Sequence, residues 1–432
     1  MSEERVGSRS AAAVRVDDPA LAPLEVPRSV GAREPPRGWP APPAVSAPSY
    51  LLVDAESGQA LASKNADLRR SVASTVKVLT ALSVLRRTSL DQLITVGEEV
   101  RGLPSDAARV GVEPGEAWTV GDLLEGLIAR SGNDAALALA AGVGGTVEDF
   151  VSLMAADAAA LGLDVALYEP AGLGDRNRLS ARDLVGITRA AMVDHRFMAL
   201  VTQRLVDLPG VGPVQSRNRL LRDYPGALGV KTGFTRLAGR CLVAAAERDG
   251  RRLVAVVLGS TLPEGHFSDA RTLLDFGFAN FARVAIAGDG PELELRVAGR
   301  WVPLDAPPTS LFVPAAEPVL DLAVQLPVEA GPELATTLEA RWRGVEVGTL
   351  QLSGGSPLAS SPAGATAVGD WLMNRAYAAM RAAIVARLWT VPGSEPSPPD
   401  RQASLSGAGE DERRGAEAHP PALARTGSRV LR

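Results

Sequence analysis

The sequence predicts an α+β fold followed by a small all-β domain. Three observations lead there. Strand patterns double back around Glu56-Ser57-Gly58 and around Asp249-Gly250. Helical periodicities lie between and after these hairpins. Beyond Arg283 the pattern turns to short apolar strands separated by Gly and Pro. The 432 residues leave room for two or three domains, and the 46% hydrophobic content supports a real core, mainly of Ala, Leu and Val.

Residues 1–45 are rich in Pro, Ala and Arg, lack the apolar run of a signal peptide, and read as disordered. Order is expected from residue 46 to 283. "YLLVDAESGQALAS" is a hairpin. From Ser71 the period changes: Val72, Val76, Leu79, Leu82 and Leu85 recur at helical spacing. Residues 120–162 read as Ala-rich helix, and "SARDLVGITRAAM" is a helix capped by Ser180. "GRCLVAAAERDGRRLVAVVLGS" is a hairpin whose Asp-Gly pair signals a type I′ turn. "SDARTLLDFGFANF" starts a helix at the Ser268 cap. Residues 284–356 form the β domain and 357–370 a linker. Residues 371–389 form an amphipathic helix, and 390–432 a disordered tail. The helix carries Met373, Tyr377, Met380, Ile384 and Leu388 on one stripe, with Arg375, Arg381 and Arg387 off it. That composition suits either an anionic membrane surface or packing against the β domain.

Composition excludes several functions. The net charge is −5 without a basic run, which argues against nucleic-acid binding. Cys241 stands alone, so no intrachain disulfide or zinc ribbon is expected, and in "CLVAAA" it reads as a small buried hydrophobe. His195, His266 and His419 are widely separated. Neither a metal nor a cofactor is expected.

Lysine use points to chemistry. Lysine occurs only at positions 64, 77 and 231; every other basic residue is arginine. Arginine serves surface charge well, but a guanidinium does not give up its proton. Ser74 and Lys77 are three apart, one helical turn, on the same side. A buried lysine loses its proton near neutrality and can then activate the serine hydroxyl. The start of the helix turns N–H groups toward a developing oxyanion. Ser131 and Asn133 in "ARSGNDAALALA" direct two side chains into one cleft if the backbone there is extended. Lys231, Thr232 and Gly233 in "LGVKTGFT" end a strand. There Gly233 admits a substrate backbone, and Lys231 with Thr232 can bind a carboxylate. Each motif alone also fits an ordinary cap or strand end; the three in this order do not fit chance comfortably.

The order SxxK, SxN, KTG belongs to penicillin-binding proteins and β-lactamases. With "GVEPGEAWTVGDLLEGLIARSGNDAALALA", "LSARDL", "GVKTGFTRLAGRCL" and "LLDFGFANF", the stretch from Ser49 to Arg283 resembles a serine-type D-alanyl-D-alanine carboxypeptidase, a low-molecular-mass penicillin-binding protein. The resemblance implies a β-lactamase/transpeptidase-like antiparallel sheet flanked by helices, with a helical subdomain across the cleft. It implies removal of the terminal D-Ala from peptidoglycan stem peptides, inhibition by β-lactam antibiotics, and a working place outside the cytoplasmic membrane. It implies Ser74 as the acylated nucleophile, Lys77 as its base and Ser131 as proton relay. Asn133 would position Lys77 and the substrate amide, and Lys231 and Thr232 would face the substrate carboxylate. The N–H groups of Ser74 and Phe234 would form the oxyanion hole. Two departures are visible. Glu169 in "YEPAGL" stands where the family commonly has Asn, and reads either as a loop variation or as a β-lactamase-like deacylating glutamate. His266 stands where it usually has an arginine for the terminal carboxylate, so either this histidine, titrating near pH ~6.5, or a neighbour such as Arg271 holds that group. A serine β-lactamase or esterase on the same fold, and a non-catalytic penicillin-recognising protein, are the alternative readings.

Overall fold

The computed structural model describes residues 24, 29–287, 294–297, 300–303, 307–325 and 333–355. The linker 357–370, the amphipathic helix 371–389 and the tail 390–432 lie outside the described residues.

The centre is a five-stranded antiparallel sheet in the order Ala60–Lys64, Ser49–Asp54, Arg251–Ser260, Gly239–Arg248, Ala227–Thr235. Three hairpins build it, and the last turns at Asp249-Gly250, both at positive φ as a type I′ turn requires. Strand residues alternate between two apolar cores. Leu51, Val53, Val243, Val254 and Val256 face the helices Lys77–Leu85 and Ala181–Ala191. Leu52, Leu242, Leu253 and Val257 face the helix Gly265–Asn280. A period of two on a sheet covered on both sides makes every strand residue apolar, which is why "CLVAAA" and "LVAVVL" show no alternation.

The helical part packs on the first core. It comprises Val120–Glu125 continuing into the wide turn Gly126–Arg130, then Asn133–Gly144 and Val147–Ala160. Ser180 caps its helix through a full capping box with Asp183. The helix expected from Ser268 instead begins at Gly265, after Glu264 at φ +58. The β region holds the hairpins Glu294–Val297/Arg300–Pro303 and Glu333–Trp342/Val345–Gly355. Thr309–Pro314 pairs with Phe281–Ala287, and Asp321–Gln325 with Glu333–Trp342.

One expectation is corrected. Residues 29–45, read as disordered, are ordered. Ala32 N donates to Val347 O (2.9 Å), Thr349 N to Val30 O (2.7 Å), and Ala60 N to Ala32 O (2.9 Å). Trp39 is buried on Phe281, ring centroids 4.9 Å apart. Average composition hid this, because an extended Pro-rich segment needs only a few apolar anchors and an edge to pair with.

Candidate active site

Ser74 does not sit inside a regular helix. Ala73–Val76 is a 3₁₀ turn, and only from Lys77 does the α-helix begin. Ala73 is at φ +49, in the left-handed region that costs a non-glycine residue strain. Two glycines grip this turn. A Cβ on Gly172 would fall 2.0 Å from Ala73 O, and one on Gly233 would fall 3.0 Å from Ser74 N. The turn is thus held between the loop 169–173 and the edge strand Ala227–Thr235. Asp175 ties the two sides, accepting from Ser71 Oγ (2.6 Å) and from Thr235 Oγ1.

Lys77 is fully buried. Its Nζ lies 3.1 Å from Ser74 Oγ and donates to Asn133 Oδ1 (2.7 Å) and to Ala171 O. Two carbonyl oxygens therefore claim two N–H groups, and the remaining position on nitrogen faces the serine. Burial pushes Lys77 down to about 7; Glu169 and Asp134 pull it up and Arg217 presses it down. An amine that is neutral near pH 7 turns its lone pair to Ser74 O–H.

Ser131 and Asn133 reach the same place by a different backbone from the extended one expected. Ser131 follows the wide turn Gly126–Arg130 at φ +64, and Asn133 opens the next helix. Asp134 anchors that corner by accepting from Val110 N and Gly111 N. Lys231 is 1% exposed, and its Nζ donates to Ser131 Oγ (2.9 Å) and Thr232 O (2.9 Å). Burial, then Lys77 and Arg217, lower its affinity for a proton well below the usual lysine range. Lys231, expected to face a substrate carboxylate, is buried with its amine on Ser131. Strand alternation explains this: Lys231 and Thr232 point to opposite faces, and only Thr232 opens on the cleft.

The cleft has a volume of about 940 Å³ and is lined by Ser74, Ser131, Asn133, Thr232, Phe234 and His266, among others. Phe234 is 58% exposed at its mouth. His266 is buried, with Nδ1 lacking a partner, and burial followed by Arg240 pushes it down to about 4. It does not titrate near pH ~6.5 as an unperturbed histidine would. Arg271 pairs with Asp223 and is not a lining residue. Arg240 is: it lies 5.0 Å from the Phe234 ring centroid, inside the cleft. Cys241 is buried and its thiol is pushed up to about 11.

Glu169 does not open on the cleft. Its oxygens accept from Ala171 N (2.8 Å), Leu173 N (3.0 Å) and Asn177 Nδ2 (3.1 Å). Sequence reasoning missed the Ala171 carbonyl, which carries no side-chain signal, and Arg240, one arginine among many.

Residues 38–261 match the D-alanyl-D-alanine carboxypeptidase peptidase family. The chain is 38% identical over 243 residues to the D-alanyl-D-alanine carboxypeptidase DacB2 of Mycobacterium tuberculosis, covering 54% of this chain and 82% of that protein. Among solved structures, penicillin-binding protein 6B from Escherichia coli is similar at a TM-score of 0.62 and 30% identity, over 74% of this chain and 99% of that one. A D-alanyl-D-alanine carboxypeptidase from Mycobacterium tuberculosis is similar at a TM-score of 0.54 and 36% identity, over 57% and 96%.

Proposed function

Because the chain belongs to the D-alanyl-D-alanine carboxypeptidase family, we propose that it removes the terminal D-Ala from peptidoglycan stem peptides through an acyl-enzyme on Ser74. The observation that carries this reading is the buried Lys77 amine, 3.1 Å from Ser74 Oγ at the floor of an open cleft.

The steps follow from the residues. Lys77, neutral, takes the Ser74 proton as Oγ attacks the carbonyl carbon of the penultimate D-Ala. The oxyanion forms against the N–H groups of Ser74 and Phe234. The tetrahedral adduct collapses and the C–N bond breaks. The leaving amine takes a proton through Ser131, whose hydroxyl Lys231 holds at 2.9 Å. Water then attacks the ester, again with a base at hand, and the shortened peptide leaves. The substrate backbone runs along the edge strand Ala227–Thr235, where Gly233 leaves room for it and Thr232 offers a hydroxyl. Its substrate class lies outside the cytoplasmic membrane, and so does its place of work.

Mass spectrometry of the protein with a penicillin tests the reading. One penicilloyl group on the Ser74 peptide, persisting long after acylation is complete, is the expected result. An adduct lost as fast as it forms would mark a β-lactamase, and no adduct at all would remove the nucleophile from this account.

The terminal carboxylate gives a second expected outcome. His266 is neutral in the working range, and of the arginines that line the cleft (Arg217, Arg219, Arg222, Arg236 and Arg240) Arg240 is the one whose charge acts most strongly at His266, so we assign the carboxylate to it. A charge-assisted hydrogen bond contributes ~1.5–3 kcal/mol. Arg240→Gln therefore lowers kcat/KM on a D-Ala-D-Ala peptide by roughly 10- to 100-fold. The wild-type pH profile shows no step from His266 near pH ~6.5. Such a step, vanishing in His266→Gln, would return the carboxylate to the histidine.

A further inference from the structure

Glu169 has a position that loop variation does not explain. Its carboxylate closes a single turn on itself by accepting from Ala171 N and Leu173 N, and Asn177 completes the knot, donating to Glu169 Oε1 and accepting from Tyr168 N (2.8 Å). Thr80 Oγ1 donates to Pro170 O (2.6 Å), fixing the turn to the helix that carries Lys77. The turn delivers two groups to the reacting centre. Ala171 O accepts from Lys77 Nζ and lies 3.4 Å from Ser74 Oγ. Gly172 presses on the carbonyl of Ala73, the strained residue before the serine.

Charge adds to position. The groups that act on the Lys77 amine come from every side of it. Glu169 on this turn and Asp134 at the head of the facing helix attract a proton there, Glu169 the more strongly. Arg217 repels it, and the Lys77 charge in turn lowers the proton affinity of Lys231 on the edge strand. Asn133 touches the amine but is neutral. Asp134 already accepts from Val110 N and Gly111 N on a separate loop. Glu169 alone combines an attractive charge with a grip on a carbonyl that Lys77 uses.

We propose that Glu169 is a positioning residue for Lys77: it holds the Ala171 carbonyl against the amine and supplies the anionic charge that sets how readily the amine becomes a free base. The inference rests on Lys77 being the base of the acylation step. Glu169 does not touch substrate and does not activate water. Its oxygens are occupied by the turn.

The test is the pH dependence of acylation, followed with a fluorescent penicillin on the full-length protein. Removing the anion makes a proton on Lys77 less favourable, so the free amine persists to lower pH. In Glu169→Gln the acid limb should move down by about one pH unit, the lower end of what an adjacent opposite charge does. The plateau should also fall, because one backbone N–H loses its acceptor. Glu169→Asp keeps the charge on a shorter arm. Its limb stays with the wild type while its plateau drops. Glu169→Asn, a second neutral variant, serves if Glu169→Gln does not fold, and its limb should move the same way. A plateau that falls with an unmoved limb in both neutral variants would reduce Glu169 to a structural staple and overturn the proposal. So would accumulation of penicilloyl-enzyme with an unmoved limb, the mark of a deacylating carboxylate. If instead the wild type forms no adduct, or acylates without Lys77, it is the underlying reading that fails.

Discussion

With alanine at position 74 the protein folds, takes no covalent label from a fluorescent penicillin, and releases D-Ala from a D-Ala-D-Ala peptide at no more than background. Among the described residues Ser74 Oγ hydrogen-bonds to Lys77 Nζ (3.1 Å) and Ala171 O (3.4 Å), and Lys77 keeps its two carbonyl partners without it. The fold therefore loses little. The chemistry loses its covalent path, and removing a serine nucleophile costs on the order of 10⁶ in kcat elsewhere. Labelling on a gel and melting temperature measure the two halves of this expectation. Wild-type labelling by Ser74→Ala would move the nucleophile to another residue.

Arginine at position 77 has the next largest effect. It is basic and has a similar reach, but it cannot give up its proton. Acylation should slow by about 10²–10⁴, the usual contribution of a general base. The sign of the pH dependence separates the two proteins. Wild-type Lys77, held at about 7, is protonated below that pH and free above it. Its acylation rate rises with pH through this range, whereas the variant's rate shows no such limb. A permanently charged group in this buried position also costs stability, so Lys77→Met is the companion variant: it removes the base without burying a charge. It should acylate as slowly and melt no lower than Lys77→Arg. Near-normal acylation by both would exclude Lys77 as the base.

The reacting groups were legible in the sequence because their chemistry is specific to residue type. A chain that uses arginine almost everywhere keeps lysine at 77 and 231, the two positions that approach Ser74 and Ser131. Hairpins and helices were legible from period and turn residues. What escaped was set by contacts distant in sequence. The 3₁₀ turn Ala73–Val76 packs closely against Gly172 and Gly233 from distant loops and strands, and no local propensity announces that. The left-handed Ser131 follows a wide turn that the Ala-rich pattern 120–162 does not mark. A backbone carbonyl such as Ala171 O leaves no trace in a side-chain pattern. The neutral state of His266 depends on burial and on Arg240 across a turn, and neither can be read from "PEGHF".

The tie between residues 30–32 and 347–349 has a consequence for the order in which this chain acquires its structure. The two ends of the described region meet there through Ala32 N to Val347 O and Thr349 N to Val30 O, and Gln59 joins them, donating to Val347 O, 288 positions away, and accepting from Phe312 N. Synthesis runs from the N-terminus, so residues 30–32 are made long before the strand that holds Val347 and Thr349 exists. The core between Ser49 and Asn280 can close without it, from its own hairpins and helices. The early segment can settle on residues 57–60, Val30 N donating to Ser57 O (3.0 Å) and Ala60 N to Ala32 O (2.9 Å), but its bonds to residues 347–349 must wait until the last hairpin has formed. A contact of such long range is entropically late in folding. A nascent chain stalled before residue 345 would thus carry a finished catalytic centre but lack the bonds from residues 30–32 to 347–349, and refolding should show formation of that tie as its last event.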